Sequence, residues 1–247
     1  MLKRTTIEKQ TMNSEISDQV KILAFDVFGT VVDWHGSIKS EVARLVPSVN
    51  ADEFALAWRQ GYQPAMARVK SGELGWTKID DLHRMILDDV LIESGVSNLS
   101  EAQKQHLNKA WHRLDPWSDT VEGLNRLKSH YSICTLSNGN LGLLSNMAKR
   151  ANLPWDLILS AEVFRLYKPD PGTYLGVAET FDVTPEQVML VAAHHDDLAC
   201  ARACGLKTAY IERPMEFGEN NLKDVSALEG NDFHASSFIH LAEQLGL

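Results

Sequence analysis

Five short apolar runs punctuate this chain: VKILAF from Val20, SICTLSN from Ser132, LILSAEV from Leu157, VMLVAA from Val188 and KTAYIERP from Lys207. They are nearly continuous rather than alternating, which is the pattern of strands buried on both faces. Between the later ones lie the helical stretches LGLLSNMAKRANL, TYLGVAETF and LACARACGL. Strands alternating with helices predict βαβ units, hence an α/β fold with a parallel sheet covered on both sides and right-handed crossovers. KTAYIERP reads as the final core strand, ended by proline.

The alternation is interrupted once. After Trp34 the chain reads as helical for about eighty residues. Ile38, Val42, Leu45 and Val46 form one apolar stripe; Phe54, Leu56, Ala57, Trp58, Tyr62 and Met66 form another, followed by Leu82 to Leu91 and Ala102 to Leu114. Periodicity alone leaves two readings of this block: a helical layer over a site, or simply helices on a sheet. The predicted organisation is a polar N-terminal extension over 1–19, a helical insertion over 34–115, and a core made of 20–33 and 116–247.

Charge and composition narrow the partners. A formal net charge of -9, with scattered Lys and Arg, argues against nucleic acid. No apolar run reaches the roughly 18 residues of a membrane span, and the first residues carry no apolar core of a secretory signal. Cys134, Cys200 and Cys204 form neither a CxxC pair nor a zinc pattern, so a reducing cytoplasm is the expected location.

Ligands of parallel α/β sheets sit at the carboxyl ends of the strands. Those ends carry Asp26, then Ser137 and Asn138, then Lys168, then Asp197. Asp26 is followed by Phe28-Gly29-Thr30, where a glycine lets successive backbone N–H groups turn toward a bound group. Asp26 is thus a candidate nucleophile.

DVFGT, SNG, YKPD and a paired acid after the next strand, in that order, resemble the haloacid dehalogenase superfamily, over the chain from about Val20 to its end. The resemblance implies a Rossmann-like doubly wound core with a helical cap domain inserted after the first strand. It makes Asp26 the covalent nucleophile and Lys168 the cation that steadies the acids, and it places Ser137 in the site.

Two departures select the reaction. Superfamily phosphatases carry a second aspartate two residues after the nucleophile to protonate the leaving group; here Phe28 stands there, and a phenyl ring moves no proton. Their Mg²⁺-binding aspartate lies four residues before the last acid, where this chain has Ala193, which offers no side-chain oxygen. A halide leaves without a proton, so both losses suit the L-2-haloacid dehalogenases. Trp58-Arg59-Gln60 resembles their Trp-Arg-Gln segment, and Tyr174 matches a site tyrosine.

The resemblance then implies hydrolysis of short 2-haloalkanoic acids, such as chloroacetate or fluoroacetate, with no metal and no cofactor. Asp26 displaces halide toward Arg59 and Asn138, and water hydrolyses the resulting ester with Asp197 as base. Val27, Phe28, Thr30, Ser137, Asn138, Tyr174 and Gln60 are expected around the substrate. The expected partners are that haloacid and the released halide, together with a second copy in a homodimer. A Mg-dependent phosphatase is the alternative. His194 is expected either to hydrogen-bond or deprotonate the hydrolytic water with Asp197, since imidazole titrates near neutral pH, or to cap the following helix or hydrogen-bond a backbone carbonyl.

Overall fold

The computed structural model describes residues 15–247. Residues 1–14 of the expected polar extension lie outside that range. Residues 15–19 are helical, and Ile16 packs into the core.

β1 (Ile22–Phe25) is central. Between it and the next core strand, β2 (Val32–Asp33) pairs antiparallel with β3 (Asp115–Pro116), matching Val32 to Pro116 and Asp33 to Asp115. This two-residue ribbon is the neck through which the chain leaves the sheet and returns. β4 (Ser132–Ser137), β5 (Leu157–Ser160), β6 (Val188–Ala192), β7 (Lys207–Ile211) and β8 (Phe233–Ala235) follow. The sheet order is β5-β4-β1-β6-β7-β8, and every pairing in it is parallel.

Counting only strands of this sheet, the order is 3-2-1-4-5-6, the doubly wound arrangement, with its switch point between β1 and β6. Alternation along the strands explains the continuous apolar runs. Leu23, Phe25, Met189 and Val191 face one core, while Ile22, Ala24, Leu190 and Ala192 face the other. β8 corrects the expectation that β7 is the last core strand. Its three residues, Phe-His-Ala, are too short to give a periodic signal.

Between the ribbon strands the chain forms the helices Trp34–Leu45, Ala51–Gln60, Tyr62–Lys70, Ile79–Glu93 and Glu101–Asn108, then a 3-10 turn over Lys109–Arg113. The stripe from Phe54 to Met66 is broken at Gly61. Pro64 lacks an N–H and its ring would clash with the carbonyl four residues back, at Gln60, which is where the first helix stops. Ile86 fills the notch; a Cβ on Gly61 would lie 2.3 Å from its Cγ2.

Arg213, just past β7 and 6% exposed, ties the sheet to the turn after β1. Its Nη1 and Nη2 donate to the Asp119 carboxylate at 2.9 and 3.0 Å, and its Nε donates to the Thr30 carbonyl at 2.8 Å. Asp119 also accepts from the Phe238 backbone N–H at 2.7 Å. Asp119→Ala would leave a buried guanidinium without its partner and should lower stability by about 3–5 kcal/mol in urea denaturation. A loss of under about 1 kcal/mol, the scale of an exposed pair, would contradict this.

Candidate active site

Asp26 stands one residue past β1 and is 7% exposed. Its backbone N–H continues the pairing with β6 by donating to Val191 O at 3.1 Å. Gly29, with φ of +84°, turns the chain back immediately afterwards. That turn brings the Thr30 hydroxyl within 2.7 Å of Asp26 Oδ2, to which it donates. Thr30 Oγ1 in turn accepts from the Ala193 N–H at 2.9 Å, so the ends of β1 and β6 share one hydroxyl.

Lys168 lies between the two acids. Its Nζ donates to Asp26 Oδ1 at 2.9 Å and to Asp197 Oδ2 at 2.5 Å. The other Asp197 oxygen accepts from the Tyr174 hydroxyl at 2.7 Å. Asn138, from the end of β4, accepts the Lys168 backbone N–H at 2.8 Å and thereby fixes the lysine loop. Burial by itself would push both carboxyls up. For Asp26, Lys168 and His194 outweigh it and hold the carboxyl far below the usual carboxylate range. For Asp197, burial and the neighbouring Asp26 charge prevail, and its carboxyl is raised.

His194 bridges Asp26 and an acid that the sequence does not reveal. Its Nδ1 is 3.1 Å from Asp26 Oδ2, and its Nε2 is 2.8 Å from Glu216 Oε1. Glu216 has no exposed surface, and Lys223 donates to its other oxygen at 2.5 Å. Carboxylates only accept, so both ring nitrogens must donate, and His194 is an imidazolium. Burial disfavours that charge, but Glu216 and Asp26 overcome it and raise the imidazole to about 9. Although His194 precedes the helix His195–Ala203, its side chain makes no capping bond, and its ring nitrogens meet carboxylates rather than a backbone carbonyl.

A cavity of about 360 Å³ opens over these groups. The sheet side contributes Asp26, Phe28, Asn138, Lys168, Tyr174, His194 and Asp197; the helical insertion contributes Arg59, Tyr62 and Gln63. The Arg59 guanidinium lies over the Tyr62 ring at 4.3 Å and the Trp34 ring at 5.6 Å. Arg59 has no carboxylate partner among the described residues. Asp26, Asp197 and Glu216 are matched by Lys168, His194 and Lys223, which leaves Arg59 as the cavity cation without an ion-pair partner, while the exposed Asp196 also lines the cavity.

Other expected site residues lie elsewhere. Gln60 is exposed on a different depression, beside Ala65, Arg68 and Met85, and the glutamine at the cavity is Gln63. Val27 is buried, its carbonyl accepting from Val31 and Val32. Ser137 is buried and accepts the Gly139 N–H at 3.1 Å, shaping the turn that presents Asn138. Thr30 acts on Asp26 and is not part of the cavity wall. Tyr62 stood out only as a helix-stripe residue, and Glu216 and Lys223 sit in a polar loop without periodicity. Among the described residues no group of three or more His, Cys, Asp or Glu side chains is arranged to hold a metal ion.

The sequence model of the haloacid dehalogenase-like hydrolases matches residues 20–205. The chain belongs to that family. It is similar to the defluorinating L-2-haloacid dehalogenase Rha0230, with 44% identity, 92% of this chain and 96% of that chain covered, and a TM-score of 0.89. The L-2-haloacid dehalogenase PA0810 is 44% identical, with coverage of 92% and 99% and a TM-score of 0.87. (S)-2-Haloacid dehalogenase 4A of Burkholderia cepacia is 27% identical over 206 residues, 79% of this chain and 84% of that protein. The chain is an (S)-2-haloacid dehalogenase-like hydrolase.

In this haloacid dehalogenase-like hydrolase, Lys168 pulls both Asp26 and Asp197 toward the ionised form. Lys168→Met should raise the proton affinity of the acid pair by about one to three pH units. Carbon-13 NMR of labelled aspartate reads this directly, and an unmoved titration would contradict it.

Proposed function

We propose that the protein hydrolyses short 2-haloalkanoic acids, such as chloroacetate and fluoroacetate, to 2-hydroxy acids through an ester on Asp26, without metal or organic cofactor. The observation that carries this reading is an ionised carboxylate with one oxygen unspent, beside an unpaired guanidinium. A carboxylate oxygen has two acceptor directions. Those of Oδ2 are taken by Thr30 and His194, whereas Oδ1 meets only Lys168 and keeps a lone pair.

In the first step, the Oδ1 pair attacks the carbon bearing the halogen. The carbon–halogen bond breaks, the carbon inverts, and halide leaves with its electron pair toward Arg59 and Asn138, lined by Phe28. Halide needs no proton, which is consistent with Phe28 standing where a general acid would be required. In the second step, water attacks Cγ of the ester and gives a proton to Asp197, whose raised carboxyl suits a base. The Cγ–Oδ1 bond breaks and the 2-hydroxy acid leaves with Oδ1. Asp26 returns as a carboxylate and one proton passes to solvent.

The donor set argues against Mg²⁺. A divalent cation at Asp26 Oδ2 would face the His194 imidazolium at contact distance, and Lys168 guards the other oxygen. The similarity to Rha0230, which is named as defluorinating, supports fluoroacetate as a substrate. The helical insertion acts as the cap, because Arg59, Tyr62 and Gln63 close the cavity from that side. Free Cys134, Cys200 and Cys204 fit a reducing compartment.

A panel of fluoro-, chloro- and bromoacetate with halide detection tests the reading. Halide release should be unchanged by EDTA. Activity that vanishes on chelation and returns with Mg²⁺ would contradict it in favour of phosphatase chemistry.

A further inference from the structure

Glu216 takes no part in either step as written, yet the site is built around it. It is an acid with no exposed surface, 190 residues along the chain from Asp26 and reached only through His194. Lys223 neutralises it and also donates to the Ala193 carbonyl at 2.6 Å, fastening the loop after β7 to the end of β6. Trp34 Nε1 donates at 3.4 Å to Glu216 Oε1, the oxygen that His194 also meets, and not to the one that Lys223 holds. A Cβ on Gly29 would lie 2.3 Å from Glu216 Oε1. The glycine that bends the chain behind Asp26 therefore also leaves the slot this acid occupies.

We propose that Glu216 is a positioning residue that keeps His194 an imidazolium throughout the cycle, so that His194 Nδ1–H and Thr30 Oγ1–H form an oxyanion hole on Asp26 Oδ2 during ester hydrolysis. The inference rests on the aspartyl-ester reading above. Once Oδ1 has formed the ester, Oδ2 is its carbonyl oxygen, and water adding to Cγ drives the negative charge onto Oδ2. Thr30 at 2.7 Å and His194 at 3.1 Å already donate there. Preformed donors aimed at developing charge need no reorganisation.

Esterification neutralises Asp26 and removes one of the two acids that favour a protonated ring. Glu216 is the one that remains. The proton accepted from water goes to Asp197 and then to the departing Oδ1, so His194 neither gains nor loses one. This replaces the expectation that His194 is the base for the water. A ring held between two acceptors has no free lone pair to take a proton.

The groups facing His194 are Asp26 and Thr30 from the β1 turn, Glu216 and Lys223 from the loop after β7, and Lys168 and Asp197 across Asp26. Rapid-quench kinetics on Glu216→Gln with chloroacetate, read by intact protein mass and chloride, separates the half-reactions. The expected result is a chloride burst within about threefold of the wild-type rate, with ester hydrolysis slower by about 10²-fold, the scale of one oxyanion donor, and alkylated protein accumulating. The fall of ester hydrolysis at alkaline pH, set in the wild type by His194 with Glu216 alone supporting its charge, should move down by at least about one pH unit, since the ring now loses its proton more readily. Glu216→Asp should recover part of the rate.

Equal slowing of both half-reactions, or unchanged hydrolysis, would overturn the proposal. Nitrogen-15 NMR of histidine gives an independent reading in Asp197→Asn enzyme alkylated by chloroacetate. His194 should remain doubly protonated at neutral pH there, and a neutral ring would also overturn the proposal. Wild-type protein that releases no chloride would instead fail the dehalogenase reading itself.

Discussion

As the proposed nucleophile, Asp26 must stay ionised although it is buried, and the charges around it are arranged to meet that requirement. Burial in a low-dielectric surrounding favours the protonated acid. Lys168 at 2.9 Å and His194 at 3.1 Å oppose it from two directions, and Thr30 adds a neutral donor. Neither cation is free-standing. Lys168 is held by Asp197 and by Asn138, and His194 by Glu216, which is itself held by Lys223. The site is thus a chain of alternating charges in which each buried ion is paired, the condition under which buried charge does not destabilise the fold outright.

The same alternation explains how a chain of formal charge -9 would take the proposed anionic substrate. Charges beyond roughly 8–10 Å are screened at physiological salt, so the distant acids contribute little inside the cavity. Within it the paired ions cancel, and Arg59, stacked on Tyr62, is the cation left without a partner, with Asp196 on the exposed side of the same cavity. Stacking on an aromatic face holds the guanidinium without spending its donors. The neck formed by β2 and β3 delivers the helices carrying Arg59 to the carboxyl ends of the sheet, so Arg59 and Asp26, the proposed anion site and nucleophile, come from separate parts of the chain.

Much of this was legible in the sequence, for physical reasons. Strands buried on both faces leave continuous apolar runs, so β1, β4, β5, β6 and β7 could be read, and strand ends single out Asp26, Asn138, Lys168 and Asp197. β8, three residues at a sheet edge, carries no periodic signal. The break at Gly61 follows from Pro64, three residues further on, which the apolar stripe masks. Gln60 and Gln63 differ by less than one helical turn, so choosing between them needs the actual exit angle of the helix. Glu216 is the deepest omission. An acid in a polar loop looks solvated, and only the fold carries it beneath His194. Pairing also changes what a residue can do. As a lone imidazole His194 suggests a base, whereas between two carboxylates it is a donor.

The central claim is that Asp26 itself supplies the oxygen that ends in the product. A single turnover in heavy-oxygen water, with enzyme in excess over chloroacetate, tests it directly. The first 2-hydroxy acid should carry ordinary oxygen in its hydroxyl group, and the heavy isotope should appear in the Asp26 carboxylate. Heavy oxygen in that first product would mean that water attacks the substrate carbon directly, and the covalent account would be wrong.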